Sequence, residues 1–180
     1  VDRARISGLL IFIGVSEFLL LMLISEVLYP GYSVHTNYIS DLGVGPTALI
    51  FNSSIVVMGV MLIIASILLA RLSKYLMVTL LLTGIGAAGV GIFNEHLHPY
   101  HLIFALMAFL FSSISSYTAY PLSKAPGRYL WVVLGTMGLI ALALFIMGVY
   151  LGLGPGGMER MIVYPNMIWA LGFSGELMRG

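Results

Sequence analysis

Six long apolar runs alternate with short polar breaks along the 180-residue chain. The runs are continuous and do not alternate residue by residue, so they predict helices and not barrel strands. The predicted spans cover residues 6–29, 46–70, 75–93, 99–120, 129–153 and 161–178. Prolines punctuate several of them: Pro30 ends the first, Pro46 opens the second, and Pro99 and Pro121 bracket the fourth. Each is close to the roughly 17–25 residues that a hydrocarbon core demands. The first run follows Arg3 and Arg5 and so resembles a signal peptide. It is too long for one, carries Glu17 and lacks a small-x-small cleavage site near its end, which predicts a retained helix. The expected fold is an all-α integral membrane protein: a single domain over residues 1–180, built as a six-transmembrane-helix bundle.

The breaks set the orientation. Arg3, Arg5, Arg71, Lys74, Lys124, Arg128 and Arg179 fall on one side, and Arg160 alone on the other. Positive residues accumulate on the cytoplasmic side, so both termini are expected there, in a cell-membrane protein surrounded by lipid. Composition agrees: 60% of residues are hydrophobic and 8% charged, against about 25% charged in a soluble domain. A net charge of +1 leaves no basic patch for nucleic acid. Absence of cysteine excludes disulfides, iron–sulfur clusters and thiolate metal sites.

The reactive residues gather on the side that lacks lysine. His35, His96, His98 and His101 lie there, with Asp41, Glu95, Glu159 and Arg160, and Glu26 lies near the outer end of the first span. Ordinary loop polarity accounts for any one of them as well as function does, but less comfortably for the set. In the first outer loop, Ser40 or Asp41 can cap a short helix; Ser40 can also hold substrate, and Asp41 can be a metal ligand, a general base or a partner for Arg160. The second outer loop carries Glu95, His96, His98 and His101 within eight positions. His98, His101, Asp41 and Glu95 together suit a divalent metal such as zinc, although the spacing matches no established signature. On a helix, His101 aligns with Ala105, Ala108, Ser112 and Ser115 or Ser116, a small-residue stripe of the kind found at helix–helix contacts, so it is expected to point inward.

Arg160 is the sole outer cation. It pairs with Glu159, Glu95 or Asp41, or it holds an anion of a lipid or substrate, with Tyr164 on the same helix face. Deeper in the membrane stand Glu17, in mid-span, and Asn52, which can bond across helices or line a cavity. The glycine-rich stretch Gly84–Gly91 lies within a span and follows no strand, so it reads as close packing and not as a nucleotide loop.

Tyr38-Ile39-Ser40-Asp41-Leu42-Gly43, Gly91-Ile92-Phe93 followed by His101, and Glu159-Arg160 leading to Trp169 resemble the family catalogued as domain of unknown function 998. Its members are small prokaryotic multi-pass proteins, and the resemblance covers nearly the whole chain. The Ile39–Gly43 segment is also similar to a loop of eukaryotic six-span autophagy modulators and GPI-anchor lipid remodellers, which implies a similar topology and an interest in lipids.

Three functions fit these residues. The favoured one is an intramembrane enzyme acting on a lipid or lipid-linked small-molecule substrate at the outer face. Asp41, Glu95 and His101 would be catalytic, with or without metal; Ser40, Asn52, Arg160 and Tyr164 would bind substrate; ester or amide hydrolysis is the concrete reaction. The second is a transporter or channel using Glu17, Asn52 and the outer carboxylates. The third is a non-catalytic lipid- or partner-binding protein whose polar cluster is a strut.

Overall fold

The computed structural model describes residues 2–179. Among them are six α-helices: α1 (Arg3–Leu28), α2 (Ala48–Leu69), α3 (Lys74–Ile92), α4 (His98–Thr118), α5 (Gly127–Ile146) and α6 (Gly154–Arg179). Five helical segments are long and apolar enough to cross a membrane. Asp2 caps α1 by accepting from the Ala4 N–H (3.0 Å), and Ser73 caps α3 by accepting from the Leu76 N–H (3.2 Å).

Each helix packs against its neighbours in the chain, and α6 closes the ring on α1 while also reaching α4. Side chains of α1, α2, α3 and α6 fill the main core, Phe18, Phe51, Leu76 and Phe173 among them. Glycines let the backbones approach. A Cβ at Gly59 or Gly84 would collide with the facing backbone of α3 or α2, and one at Gly86 would strike the backbone of α4 at Ala108. The Gly84–Gly91 stretch is therefore a packing surface used on two sides, as its position within a span predicts.

The first four predicted spans match their helices closely; the division between the last two does not. The predicted fifth span runs to residue 153, whereas α5 ends at Ile146. Gly148, Leu151 and Gly152 all have positive φ (70°, 50° and 80°), a conformation that interrupts a right-handed helix. Conversely α6 begins at Gly154, seven residues before the predicted Met161, so Glu159 and Arg160 are helical and not in a loop.

α6 is the least apolar helix, carrying Glu159, Arg160, Asn166 and Glu176. More than half of its residues are buried, and α1, α4 and α5 flank it, so its polar side chains meet protein. Asn166 donates to Ser113 Oγ on α4 (2.9 Å) and accepts from Trp169 Nε1 (3.3 Å).

The α2–α3 contact admits a direct test. A Gly84→Leu substitution places its Cβ 2.8 Å from the Gly59 carbonyl and 2.9 Å from the Ile63 nitrogen. It is expected to cost about 1–3 kcal/mol, lowering the melting temperature in detergent. Gly175→Ala, whose Cβ meets nothing within 4 Å, should leave that temperature unchanged.

Candidate functional site

The connections that follow α1, α3 and α5 meet at one end of the bundle, the end that carries the histidines. Residues 33–37 lie directly on the start of α6. The Gly156 N–H donates to the His35 carbonyl (3.2 Å), and side chains at Gly154 or Gly156 would overlap the His35 or Asn37 carbonyl. The glycines that begin α6 thus allow the first loop to dock without a gap.

Arg160 fastens that docking. Its Nη1 donates to the carbonyls of Gly156 (2.9 Å), Asn37 (3.3 Å) and Val34 (3.4 Å). Its Nη2 donates to Glu26 Oε1 (2.5 Å) and to Tyr32 Oη (2.6 Å). Burial pushes the Tyr32 phenol up to about 12, so it stays neutral and donates onward to the Tyr38 carbonyl (2.8 Å). The expected partners of Arg160 were Glu159, Glu95 or Asp41, or a substrate anion; the ion pair goes instead to Glu26 on α1. The guanidinium is 4% exposed and both terminal nitrogens are committed within the protein, while its Nε–H is buried without a hydrogen-bond partner. Tyr164 lines neither of the two cavities described below.

The segment after this docking forms a single 3₁₀ turn, Ser40–Gly43. Asp41 Oδ2 accepts from the Tyr38 N–H (3.0 Å) and from Asn37 Nδ2 (2.8 Å), so this carboxylate shapes the approach to the turn. Asn52 on α2 donates to the Gly43 carbonyl (2.9 Å) and fixes the turn's far end; it is a strut between α2 and the loop. Glu159 accepts from the Ile39 N–H through Oε2 (2.5 Å). Ser40 then donates its hydroxyl proton to Glu95 Oε1 across the cleft from the second loop.

His101 lies on the first turn of α4 and points into the bundle with Ala105, Ala108 and Ser112, as the small-residue stripe predicts. Its Nδ1 sits 2.8 Å from the Phe93 carbonyl. A carbonyl can only accept, so Nδ1 carries a proton, and in that tautomer Nε2 is the nitrogen with a free lone pair. The group that orients the ring is therefore the Phe93 carbonyl.

Two cavities surround these residues. An outer cleft of about 500 Å³ is lined by Tyr38, Asp41, Glu95, His98, Leu106 and Phe145, among others. An inner cavity of about 110 Å³ lies among apolar side chains that include Phe18, Phe51, Met58, Leu80 and Trp169. Ser40, His101, Ala105, Phe109 and Glu159 line both, so the cavities meet at that ring. Glu17 lines neither.

The expected metal set does not assemble. His98, His101, Asp41 and Glu95 all line the cleft, yet among the described residues no three His, Asp or Glu side chains form a group able to hold a metal ion. Asp41 is committed to Asn37 and Tyr38, Glu95 to Ser40, and the His101 Nδ1 to Phe93, while His98 is exposed. His96 is also exposed, and His35 lies against Gly154 outside the cleft.

The segments that carry the family resemblance thus converge: Ile39 and Ser40 on Glu159 and Glu95, Phe93 on His101, and Trp169 on the inner cavity. The chain belongs to the family described as "Protein of unknown function (DUF998)", whose model matches residues 12–175. That match takes in α2 to α5, most of α1 and α6, and every cleft residue named here. Neither the curated proteins nor the solved structures provide a match.

Sequence reasoning gave Glu159 too small a role. It is 5% exposed and stands at the junction of the two cavities. Asn166 was missed altogether. The available signal was its place one turn beyond Ile162 on a helix that also holds Glu159 and Arg160.

Arg160→Met leaves the largely enclosed Glu26 carboxylate unpaired, which is expected to cost about 3–5 kcal/mol, read as an early thermal transition. An anion-binding arginine would instead leave stability intact.

Proposed function

We propose that this protein is a membrane-embedded acid–base enzyme that cleaves an ester or amide of a lipid or lipid-linked substrate at the outer leaflet. The observation that carries the reading is the Ser40–Glu95 hydrogen bond at the ring where a polar cleft meets an apolar cavity. A serine hydroxyl is a weak nucleophile until a neighbouring base takes its proton, and Glu95 is already bonded to that hydroxyl. In this reading Ser40 Oγ bonds to the acyl carbon as its proton passes to Glu95. Glu95 returns the proton to the departing alcohol or amine as the acyl–oxygen or acyl–nitrogen bond breaks. His101 Nε2 then takes a proton from water as its oxygen bonds to the acyl carbon, and passes that proton to Ser40 Oγ as the acyl–Oγ bond breaks, which releases the acid and restores the serine. Asp41 and Asn52 hold the turn that carries Ser40, and no step runs through a metal.

The same reading takes all six helices as spans of the cell membrane, with both termini cytoplasmic and the histidine end outside. The seven-to-one division of lysine and arginine supports that orientation. α6 crosses with its polar residues shielded by α1, α4 and α5. A transport route through Glu17 finds less support, because that side chain lines neither cavity.

The test is turnover by purified protein in vesicles containing neutral, cationic and anionic lipids, with released fatty acid measured by mass spectrometry. Ser40→Ala, Glu95→Gln and His101→Ala are each expected to lower the rate by roughly 10²–10⁴-fold while the melting temperature holds. Tyr100→Phe should behave as wild type. Full turnover in Ser40→Ala would remove the serine mechanism.

A further inference from the structure

The chemistry of the cleft restricts what it can accept. Its lining holds three carboxylates, Asp41, Glu95 and Glu159, and two imidazoles, His98 and His101, but no lysine or arginine. The nearest cation in sequence, Arg160, is turned away and paired with Glu26. A phosphate brought here would face carboxylates in a partly desolvated site with no counter-charge. Glu159 adds a second, independent sign of a ligand. Its side chain is buried at the junction of the cavities, Oε2 is taken by Ile39, and Oε1 has no hydrogen-bond partner among the described residues.

The cleft also has an apolar flank. Leu102 and Leu106 of α4 and Ile146 of α5 line it while being 58%, 42% and 67% exposed, so they face the bundle's exterior as well. A cleft whose walls are also membrane-facing side chains opens sideways towards lipid. Past Ala105 it meets the inner cavity beside Trp169, which is too small for two acyl chains.

We propose that the site takes a single-chain amphiphile with a cationic or uncharged hydrogen-bonding head group, admitted laterally between α4 and α5. The head group lies among Asp41, Glu95 and Glu159, and the chain passes Ala105 towards Trp169. Anionic phospholipid head groups are rejected. This names the substrate class of the site described under Proposed function and rests on that reading for turnover, but binding can be measured without it.

The experiment uses Trp131→Phe protein, so that Trp169 is the only tryptophan, in phosphatidylcholine nanodiscs. Three probes share one brominated chain, whose bromine quenches tryptophan on contact: 11-bromoundecyl-trimethylammonium, 11-bromoundecanol and 11-bromoundecylphosphonate. The ammonium and the alcohol are expected to quench Trp169 saturably, with the phosphonate at least 10-fold weaker. Glu95→Gln combined with Glu159→Gln should erase the preference for ammonium over phosphonate. Ala105→Phe, a narrowing of the junction, should abolish quenching by all three in protein that melts normally. Binding without turnover in the parent protein would sink the enzyme reading and leave this one standing. Equal quenching by the phosphonate, or quenching unaffected by Ala105→Phe, would overturn the proposal whatever the activity.

Discussion

A guanidinium buried among backbone carbonyls sets the geometry of the histidine end. Arg160 ties α6 to α1 through Glu26, and through Tyr32, Val34 and Asn37 to the segment that precedes the Ser40 turn. A charge so enclosed demands nearly all of its hydrogen bonds at once, which permits few loop conformations. The glycines at 154 and 156 are the steric half of that arrangement, since any side chain there would hold the loop away. With the loop seated, Ile39 reaches Glu159 and Ser40 reaches Glu95.

Helix α6 has two tasks that conflict in an isolated segment. It must sit within an apolar bundle, and it must supply the polar groups that organise a site. The ring resolves the conflict by burying α6 against α1, α4 and α5, so its carboxylate, guanidinium and amide have protein partners. Helix α4 shows the opposite distribution. Its outer half is largely exposed, and only Ser113, Ser115 and Ser116 among its residues are buried. The thinly packed stretch of α4 is also the wall of the cleft, where a laterally moving molecule meets least obstruction.

Arg160 and Glu159 divide the labour expected of a single cation. The arginine is structural and the glutamate faces the cavities, although the two are adjacent in the chain. Helical geometry separates them: neighbours about 100° apart on a helix present different faces. One meets the loop and α1, and the other meets the space between α4 and α6. An assignment by residue type alone favours the arginine for substrate, because an isolated outer cation draws attention that a carboxylate among several does not.

The amino-acid sequence by itself determined the helices, the gathering of histidines and carboxylates at one end, and the inward turn of His101. These follow from local quantities: apolar run length, residue spacing and the size of side chains on one helical face. It left open who pairs with whom. Glu26 lies 134 positions from Arg160, Ser40 lies 55 from Glu95 and Ile39 lies 120 from Glu159. No periodicity links such distant residues. Tertiary structure decided those pairs, and with them the partners that occupy Asp41, Glu95 and His101 in the cleft, because each depends on how closely glycine-lined backbones let the loops approach α6.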